Sequence, residues 1–143
     1  MPEYGVPDNL RYSREHEWAK IEDDEAVIVG ITDYAAKALH DVVYVSLPEV
    51  GASFKQGNVA ASVESIKSVS EVYCPVGGTV IEVNKTLGTN PEKINQSPYE
   101  EGWLFKLKPS NPYDDMKKLL TNKEYMEFLS SQEKLSGKHN HFY

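Results

Sequence analysis

One lysine stands where its amine is open to chemical modification. Lys67 lies in the short segment 65–68, between two runs of alternating pattern, residues 59–64 and 69–74. Two such runs with a tight connection predict a β-hairpin with Lys67 at its tip. A solvated lysine is a poor catalytic group, because catalysis needs burial to lower the pKa of the amine. It is a good target for a modifying enzyme, although spacing alone favours a lysine that only solubilises the turn.

The other reactive side chains form weaker patterns. Cys74 is the only cysteine, so it cannot form an internal disulfide, and we expect a small core residue in a reducing compartment, the cytoplasm. His16 and His40 lack the spacing of metal ligands. His139 and His141 stand in a polar tail that allows at most a weak metal contact. No metal centre is predicted.

Short strands separated by turn residues must position these side chains. A small helix is predicted from a Thr32 cap to about Leu39, because a threonine hydroxyl can accept hydrogen bonds from first-turn amides. A long loop is predicted over 84–101, and loops of this length are usually functional or packed on the body. The predicted strands are 17–21, 26–31, 42–47, 59–64, 69–74, 79–83 and 103–107.

The C-terminal part changes from strand to helix periodicity. Asn111 and Pro112 predict one helix start, and Thr121 with Glu124 forms a capping box for a second helix. We therefore predict a mainly β sandwich or barrel with a short central helix and C-terminal helices. Residues 1–143 are expected to form a single domain, with its core at about 10–130 and a polar tail at 131–143.

Composition excludes several classes of partner. The chain has 143 residues, of which 40% are hydrophobic and 26% charged, as in ordinary globular proteins. The formal charge of −7 argues against nucleic acid, which needs a basic patch, and suits partners with basic surfaces. No apolar run approaches the roughly 20 residues of a membrane span, and the first residues lack a signal-peptide pattern. A monomer is expected.

Several motifs in one order resemble the glycine cleavage system H protein family. Glu64-Ser65-Ile66-Lys67-Ser68, followed by residues 72–78, resembles the lipoyl-attachment hairpin of that family. The resemblance extends from about Leu10 to Leu129, and chance is a poor explanation for so many ordered matches. The further matching segments are 14–18, 29–33, 41–45, 47–51, 94–95 and 97–103.

The resemblance implies a barrel-sandwich hybrid whose hairpin carries lipoic acid, covalently attached to Lys67. In such carriers a glutamate three residues before the lysine and a glycine eleven after it assist the lipoylating enzyme, and Glu64 and Gly78 match them. Paired methionines, typical of biotinyl sites, are absent around Lys67, so lipoate is favoured over biotin. Glu17 matches a family glutamate near the cleft that takes up the loaded arm, and we predict that it stabilises the aminomethyl arm there; the alternative is a solvated carboxylate at a strand end.

The resemblance also implies a non-catalytic carrier subunit. In the family, an aminomethyl group is loaded on the lipoyl arm by glycine decarboxylase, the P protein. An aminomethyltransferase, the T protein, takes the one-carbon unit and releases ammonia. Dihydrolipoamide dehydrogenase, the L protein, then reoxidises the arm. A tethered arm gives each partner a high effective concentration of its substrate.

Three positions depart from the family pattern and leave the client enzymes open. His40 replaces a glycine at the end of the short helix, where it would be strained or could contact the arm. Tyr34 stands where many members have a histidine or another polar residue, and Thr79 replaces a common glutamate. An alternative is therefore an H-like lipoate-binding protein that serves a heterodisulfide-reductase-like complex in sulfur oxidation. A plain binding module with an unmodified hairpin is a further hypothesis.

Overall fold

The computed structural model describes residues 4–23 and 25–138. Within these two ranges the chain forms nine strands and several helices. The strands are β1 (Arg11–Tyr12), β2 (Glu17–Glu22), β3 (Ala26–Ile31), β4 (Val42–Ser46), β5 (Ser53–Phe54), β6 (Val59–Ser65), β7 (Val69–Tyr73), β8 (Gly78–Val83) and β9 (Phe105–Pro109). The α-helices are α1 (Asp33–Leu39), α2 (Lys93–Gln96), α3 (Pro112–Lys117) and α4 (Asn122–Lys138), and a 3-10 helix covers Lys85–Gly88.

The strands form two antiparallel sheets. The larger has the order β1-β2-β3-β9-β8-β5 and the smaller the order β4-β6-β7. The predicted mainly β architecture is confirmed. Strands β1 and β5 were not predicted, because two residues are too few to show an alternating pattern.

The last strand begins later than predicted. Phe105 and Leu107 are fully buried in the main core, as the alternation indicated. The predicted placement of Trp103 on the same face was wrong, because Trp103 packs with a second cluster around Trp18. Its carbonyl accepts a hydrogen bond from the Asn84 side chain, and β9 begins two residues later, at Phe105.

Two apolar clusters stabilise the fold. The main one lies between the sheets and includes residues of α1, of the loop over 84–101 and of both sheets. The second is built around Trp18, Tyr12 and Tyr125, so that α4 covers the start of β1 and β2. Trp18 lies directly over Gly30, where an added Cβ would come within 2.5 Å of the indole. Helix α4 therefore packs on the sheets and is part of the folded domain.

The helix starts match the sequence prediction in part. Thr32 caps α1 by accepting a hydrogen bond from the Ala35 amide, and the capping box of Thr121 and Glu124 is formed in both directions. Asn111 precedes α3, but its side chain bonds to Asp114 and makes no capping bond to the backbone. The segment 131–143, predicted as a tail, is helical as far as Lys138, and His139 and His141 lie outside the described residues.

Candidate functional site

Lys67 lies in the turn that joins β6 to β7. Its side chain is exposed, while the serine two residues earlier is buried. The Ser65 hydroxyl accepts hydrogen bonds from the amides of Lys67 and Ser68, at 3.2 and 3.1 Å. The Ser65 amide in turn donates to the Ser68 carbonyl at 2.8 Å. The backbone beneath the lysine is thus fixed while its amine stays in water.

A second contact joins this turn to the neighbouring strand. The Ile66 amide donates to the Asp41 carbonyl at 3.3 Å, and Val42 at the start of β4 pairs with Ser65. The Val42 amide donates to the Asn95 side chain, which also bonds to the carbonyl of His40. Through these bonds the loop over 84–101 supports the turn, so the loop has a structural role in the site.

Glu64 and Gly78 lie in different surroundings. Glu64 is exposed on the outer face of the three-stranded sheet, beside Lys67. Gly78 begins β8 in the other sheet, where a Cβ would come within 2.4 Å of the Lys108 carbonyl oxygen. The close approach of β9 therefore requires a glycine at this position. The roles of both residues in recognition by the lipoylating enzyme stay predictions.

A cleft of about 300 Å³ opens beside the hairpin. Ser68 and Val69, which directly follow the lysine, are among its lining residues. Helix α1 contributes Tyr34 and Ala38 to the opposite wall. The cleft therefore begins where an arm on Lys67 would begin, and its walls combine apolar and polar side chains.

Glu17 is the buried carboxyl of this cleft. Its side chain is only 1% exposed, so the alternative of a solvated carboxylate is wrong. The Ser13 hydroxyl donates to one carboxyl oxygen, and the Tyr73 amide donates to the other at 3.0 Å. Burial outweighs these hydrogen bonds and raises the pKa of Glu17 to about 7. The group can therefore change its protonation state near neutral pH.

His16 is the site residue that sequence reasoning missed. It adopts a positive φ of 72° in the loop before β2, which a non-glycine residue rarely does. Its Nδ1 lies 2.8 Å from the Tyr125 hydroxyl, and burial lowers the pKa of its imidazole to about 4. The ring lines the cleft beside Tyr34, at 4.6 Å between centroids. The spacing of the histidines did not predict that His16 lines the cleft; the signals in the sequence were its place next to Glu17 and within the matching segment 14–18.

Two of the departures from the family pattern, Tyr34 on α1 and His40 just after it, have different surroundings. Tyr34 packs between His16 and Tyr4, whose ring it meets edge-on at 5.1 Å, and it lines the cleft. His40 follows α1 with φ 64° and ψ −147°, so the expected strain at this position is present. Its side chain is exposed and is not among the residues that line the cleft. The suggested contact of His40 with the arm gains no support from this geometry.

Two other kinds of feature are absent from the described residues. Within 4–23 and 25–138, no group of three or more His, Cys, Asp or Glu side chains is arranged to hold a metal ion. None of the helices in the described part of the chain has the length and apolarity needed to cross a membrane. Cys74 is buried, as expected, and burial raises the pKa of its thiol to about 12.

Comparison with known families identifies the chain. The family model described as "Glycine cleavage H-protein" matches residues 10–132. The chain belongs to this family. The match covers the hairpin, the cleft and most of α4.

Individual proteins of this family are also similar to the chain. A probable glycine cleavage system H protein of Pyrococcus abyssi is 54% identical over 129 residues, which cover 90% of this chain and 96% of the relative. A glycine cleavage system H protein of Anaeromyxobacter sp. (strain K) is 49% identical over 128 residues, covering 90% and 98%. The crystal structure of a glycine cleavage system H protein from Mycobacterium marinum superposes with a TM-score of 0.78 and 35% identity, covering 90% and 99%. The expected barrel-sandwich hybrid fold is confirmed.

Proposed function

We propose that this H protein family member is the lipoyl carrier of a glycine cleavage system, with lipoic acid in amide linkage to Lys67. The observation that carries the proposal is one arrangement: an exposed lysine on a fixed turn, next to a cleft that holds a buried carboxyl. The relatives named glycine cleavage system H protein support the same conclusion. Their names favour it over the sulfur-oxidation alternative.

The residues present fit a lipoyl group. Its attachment needs an accessible amine, which Lys67 supplies. Its apolar hydrocarbon arm needs a dry surface, and the cleft presents Ile31, Leu39 and Val63 next to the hairpin. When attached, lipoic acid would supply sulfur chemistry at the end of a long flexible arm, for carrying an aminomethyl group between the P, T and L proteins.

Attachment is an amide-forming step at Lys67. After losing a proton, Nζ attacks the carbonyl carbon of an activated lipoyl donor such as an acyl adenylate. The N–C bond forms, the bond from the carbonyl carbon to the phosphate oxygen breaks, AMP leaves with the electron pair, and the nitrogen loses a second proton to give the neutral amide. The chain itself only presents the amine, so we infer a carrier subunit that catalyses none of the three partner reactions.

Glu17 gives the cleft a preference for an amine. A primary amine near its carboxyl would form a charge-assisted hydrogen bond, since the pKa of Glu17 lies near neutrality and an adjacent cation favours its ionised form. Exclusion of water from the same cleft would protect a labile amine from hydrolysis. These two effects support the proposal that the arm carries an aminomethyl group.

Intact mass spectrometry tests the carrier role. Wild-type protein from a host supplied with lipoate should gain the mass of one lipoyl group, and the Lys67→Arg variant should not, because guanidinium cannot form the amide. An unmodified wild type, or a variant that still gains the mass, would contradict the proposal.

A second measurement tests the pathway. Lipoylated wild type mixed with a glycine decarboxylase should support exchange of labelled bicarbonate into the carboxyl group of glycine, and Lys67→Arg should not. Lipoylated protein without exchange would leave a lipoyl carrier but remove the glycine cleavage role.

A further inference from the structure

A second cavity, of about 320 Å³, opens between the larger sheet and helix α3. Strands β2, β3 and β9 supply one wall and α3 supplies the other, and we name this space the α3 cavity. Among the described residues, none lines both this cavity and the cleft beside the hairpin. A volume of this size is in the range that holds small molecules, and the proposed carrier function makes no use of it.

The sheet wall of the α3 cavity continues the apolar face of the main core. Ile21 pairs with Val27, and Val27 pairs with Leu107, so these side chains lie on the same face of the sheet. Pro109 follows Leu107 by two residues in β9 and therefore lies on that face as well. Val27 is buried, whereas Ile21 is 50% exposed. The row of apolar side chains thus leaves the core and ends in the cavity.

Helix α3 makes the opposite wall apolar. Pro112 and Met116 are four residues apart, so they lie on one side of the helix, and both line the cavity. Met116 also packs against the main core. Tyr113 lines the opening and is 74% exposed. The isoleucine of β2 and this tyrosine leave apolar surface in water on both sides of one opening, and exposed apolar surface of this kind commonly marks a binding site.

The charged side chains of the α3 cavity are cations. Arg11 and Lys117 line it, and within the described part of the chain no aspartate or glutamate does. The acidic side chains of α3 are engaged elsewhere. Asp115 accepts a hydrogen bond from a backbone amide in the turn before β8, and Asp114 accepts one from the side chain that precedes α3. In a chain with a formal charge of −7, this cavity therefore favours an anion.

The two cations lie at the rim of the α3 cavity. The Lys117 amine lies over the exposed ring of Tyr113, 4.9 Å from its centroid. A cation–π contact orients an amine without neutralising its charge, so the amine can still bind an anion. The guanidinium of Arg11 is permanently charged, and its planar shape suits two parallel hydrogen bonds to a carboxylate. An apolar interior with a cationic rim is the complement of a hydrocarbon chain that ends in a carboxylate.

We propose that the α3 cavity binds a free fatty acid of about ten carbons. Its hydrocarbon chain lies between the sheet and α3, and its carboxylate lies at the rim beside Arg11 and Lys117. Water takes up about 30 Å³ per molecule and a methylene group is similar in size, so roughly ten carbons fill the cavity. Binding at this site does not require a lipoyl group on Lys67.

Titration of the full chain with decanoate, followed by heteronuclear NMR of the backbone amides, tests this inference. Saturable shifts should be largest at Ile21, Val27 and Met116, with a Kd on the order of 0.1–1 mM. Lipoylated and unmodified protein should give the same result, since the two sites share no described residue. Shifts confined to α1 and β7 would place decanoate in the cleft beside the hairpin and would overturn the proposal.

Two related compounds test the chain and the head group separately. Hexanoate should bind at least about tenfold more weakly than decanoate, because it buries four fewer methylene groups. Decylammonium has the same chain as decanoate but the opposite charge, so it should leave the amides of the α3 cavity unshifted. Equal affinities of hexanoate and decanoate, or binding of decylammonium at the same amides with the affinity of decanoate, would overturn the proposal.

Substitutions at the rim test the role of the cations. Arg11→Gln and Lys117→Gln should each raise the Kd of decanoate about fivefold, because each removes one ion pair. Lys37→Gln is the matched control, since it removes a lysine whose amine also lies over a tyrosine ring, that of Tyr4 at 5.4 Å, outside the cavity. Its Kd should equal that of wild type.

Thermal unfolding without ligand establishes that each variant keeps its fold. If Arg11→Gln does not fold, Lys117→Gln makes the same test from the exposed surface of α3. An unchanged Kd in the cavity variants that fold, or an equal rise in Lys37→Gln, would contradict the proposed rim.

This proposal and the carrier function can fail separately. Lipoylated protein without saturable shifts at about 10 mM decanoate would overturn the fatty-acid site and leave the carrier role intact. Protein that binds decanoate in the α3 cavity but never gains a lipoyl group would support the site and count against the proposed function.

Discussion

Glu17 and His16 are adjacent residues whose pKa values are shifted in opposite directions. Burial raises the pKa of Glu17 to about 7 and lowers that of His16 to about 4. Between about pH 4.5 and 6.5, the folded protein keeps a proton on Glu17 that the unfolded chain releases. Over the same range it lacks a proton that the unfolded chain binds on His16. The two contributions to the pH dependence of stability therefore oppose each other.

The Glu17→Gln variant should separate these contributions. In wild type, the Glu17 contribution is complete below about pH 4.5 and is lost as pH rises to about 7. The amide keeps the shape without the charge, so the variant should gain stability relative to wild type over this range. The gain should reach about 3.5 kcal/mol, at about 1.4 kcal/mol for each of the roughly 2.5 pH units between 4.5 and 7.

Urea unfolding at pH 4.5, 6 and 8 measures this difference. The stability of the variant alone should rise between about pH 4 and 6.5, since the His16 contribution is then unopposed. Parallel curves for the two proteins would show that Glu17 does not titrate in the folded state as its burial requires.

At the scale of the element, the hairpin turn depends on one hydroxyl. The Ser65 oxygen accepts from two turn amides beneath Lys67. Ser65→Ala should lower the free energy of unfolding by about 1–2 kcal/mol, because two amides lose their partner. Ser68→Ala is the control, since that side chain is exposed. Equal stability of Ser65→Ala and wild type in urea unfolding would show that water replaces the hydroxyl without cost.

The end of α1 stores backbone strain. His40 has a conformation that is almost restricted to glycine, with φ 64° and ψ −147°. His40→Gly should therefore raise the free energy of unfolding by about 1 kcal/mol or more. His40→Ala keeps the Cβ and should bring no gain. A similar gain in both variants would attribute the effect to the imidazole and not to the backbone.

At the scale of the molecule, one hydroxyl links α4 to the rest of the fold. The Tyr125 oxygen lies 2.7 Å from the Thr32 hydroxyl and 2.8 Å from His16 Nδ1, and the ring stacks on Tyr12 at 4.6 Å. The C-terminal helix thereby supports both the cap of α1 and one wall of the cleft.

Tyr125→Phe should lower stability by about 1–3 kcal/mol, because it leaves buried polar atoms without a partner while the ring still packs. Tyr113→Phe on α3 should change stability little, since its ring is largely exposed. Thermal and urea unfolding of both variants make the comparison. Equal effects of the two changes would argue against the buried network.

Sequence predicted the parts of the molecule that depend on local pattern. The alternation on both sides of Lys67 gave the hairpin, and Thr32 and Thr121 gave two helix starts. The pairing of Tyr44 with Glu64, the placing of His16 next to Tyr125 and the late start of β9 depend on contacts between distant segments. No window along the chain contains that information, so only the folded arrangement shows it.

The burial of Cys74 has a consequence for the carrier as a whole. Thiol–disulfide exchange requires a thiolate, and a thiol whose pKa is about 12 is almost entirely protonated at neutral pH. This chain has no other cysteine. A dithiolane on Lys67 would therefore find no sulfur in its own protein with which to form a mixed disulfide. Redox exchange at such an arm would therefore involve only molecules other than this chain.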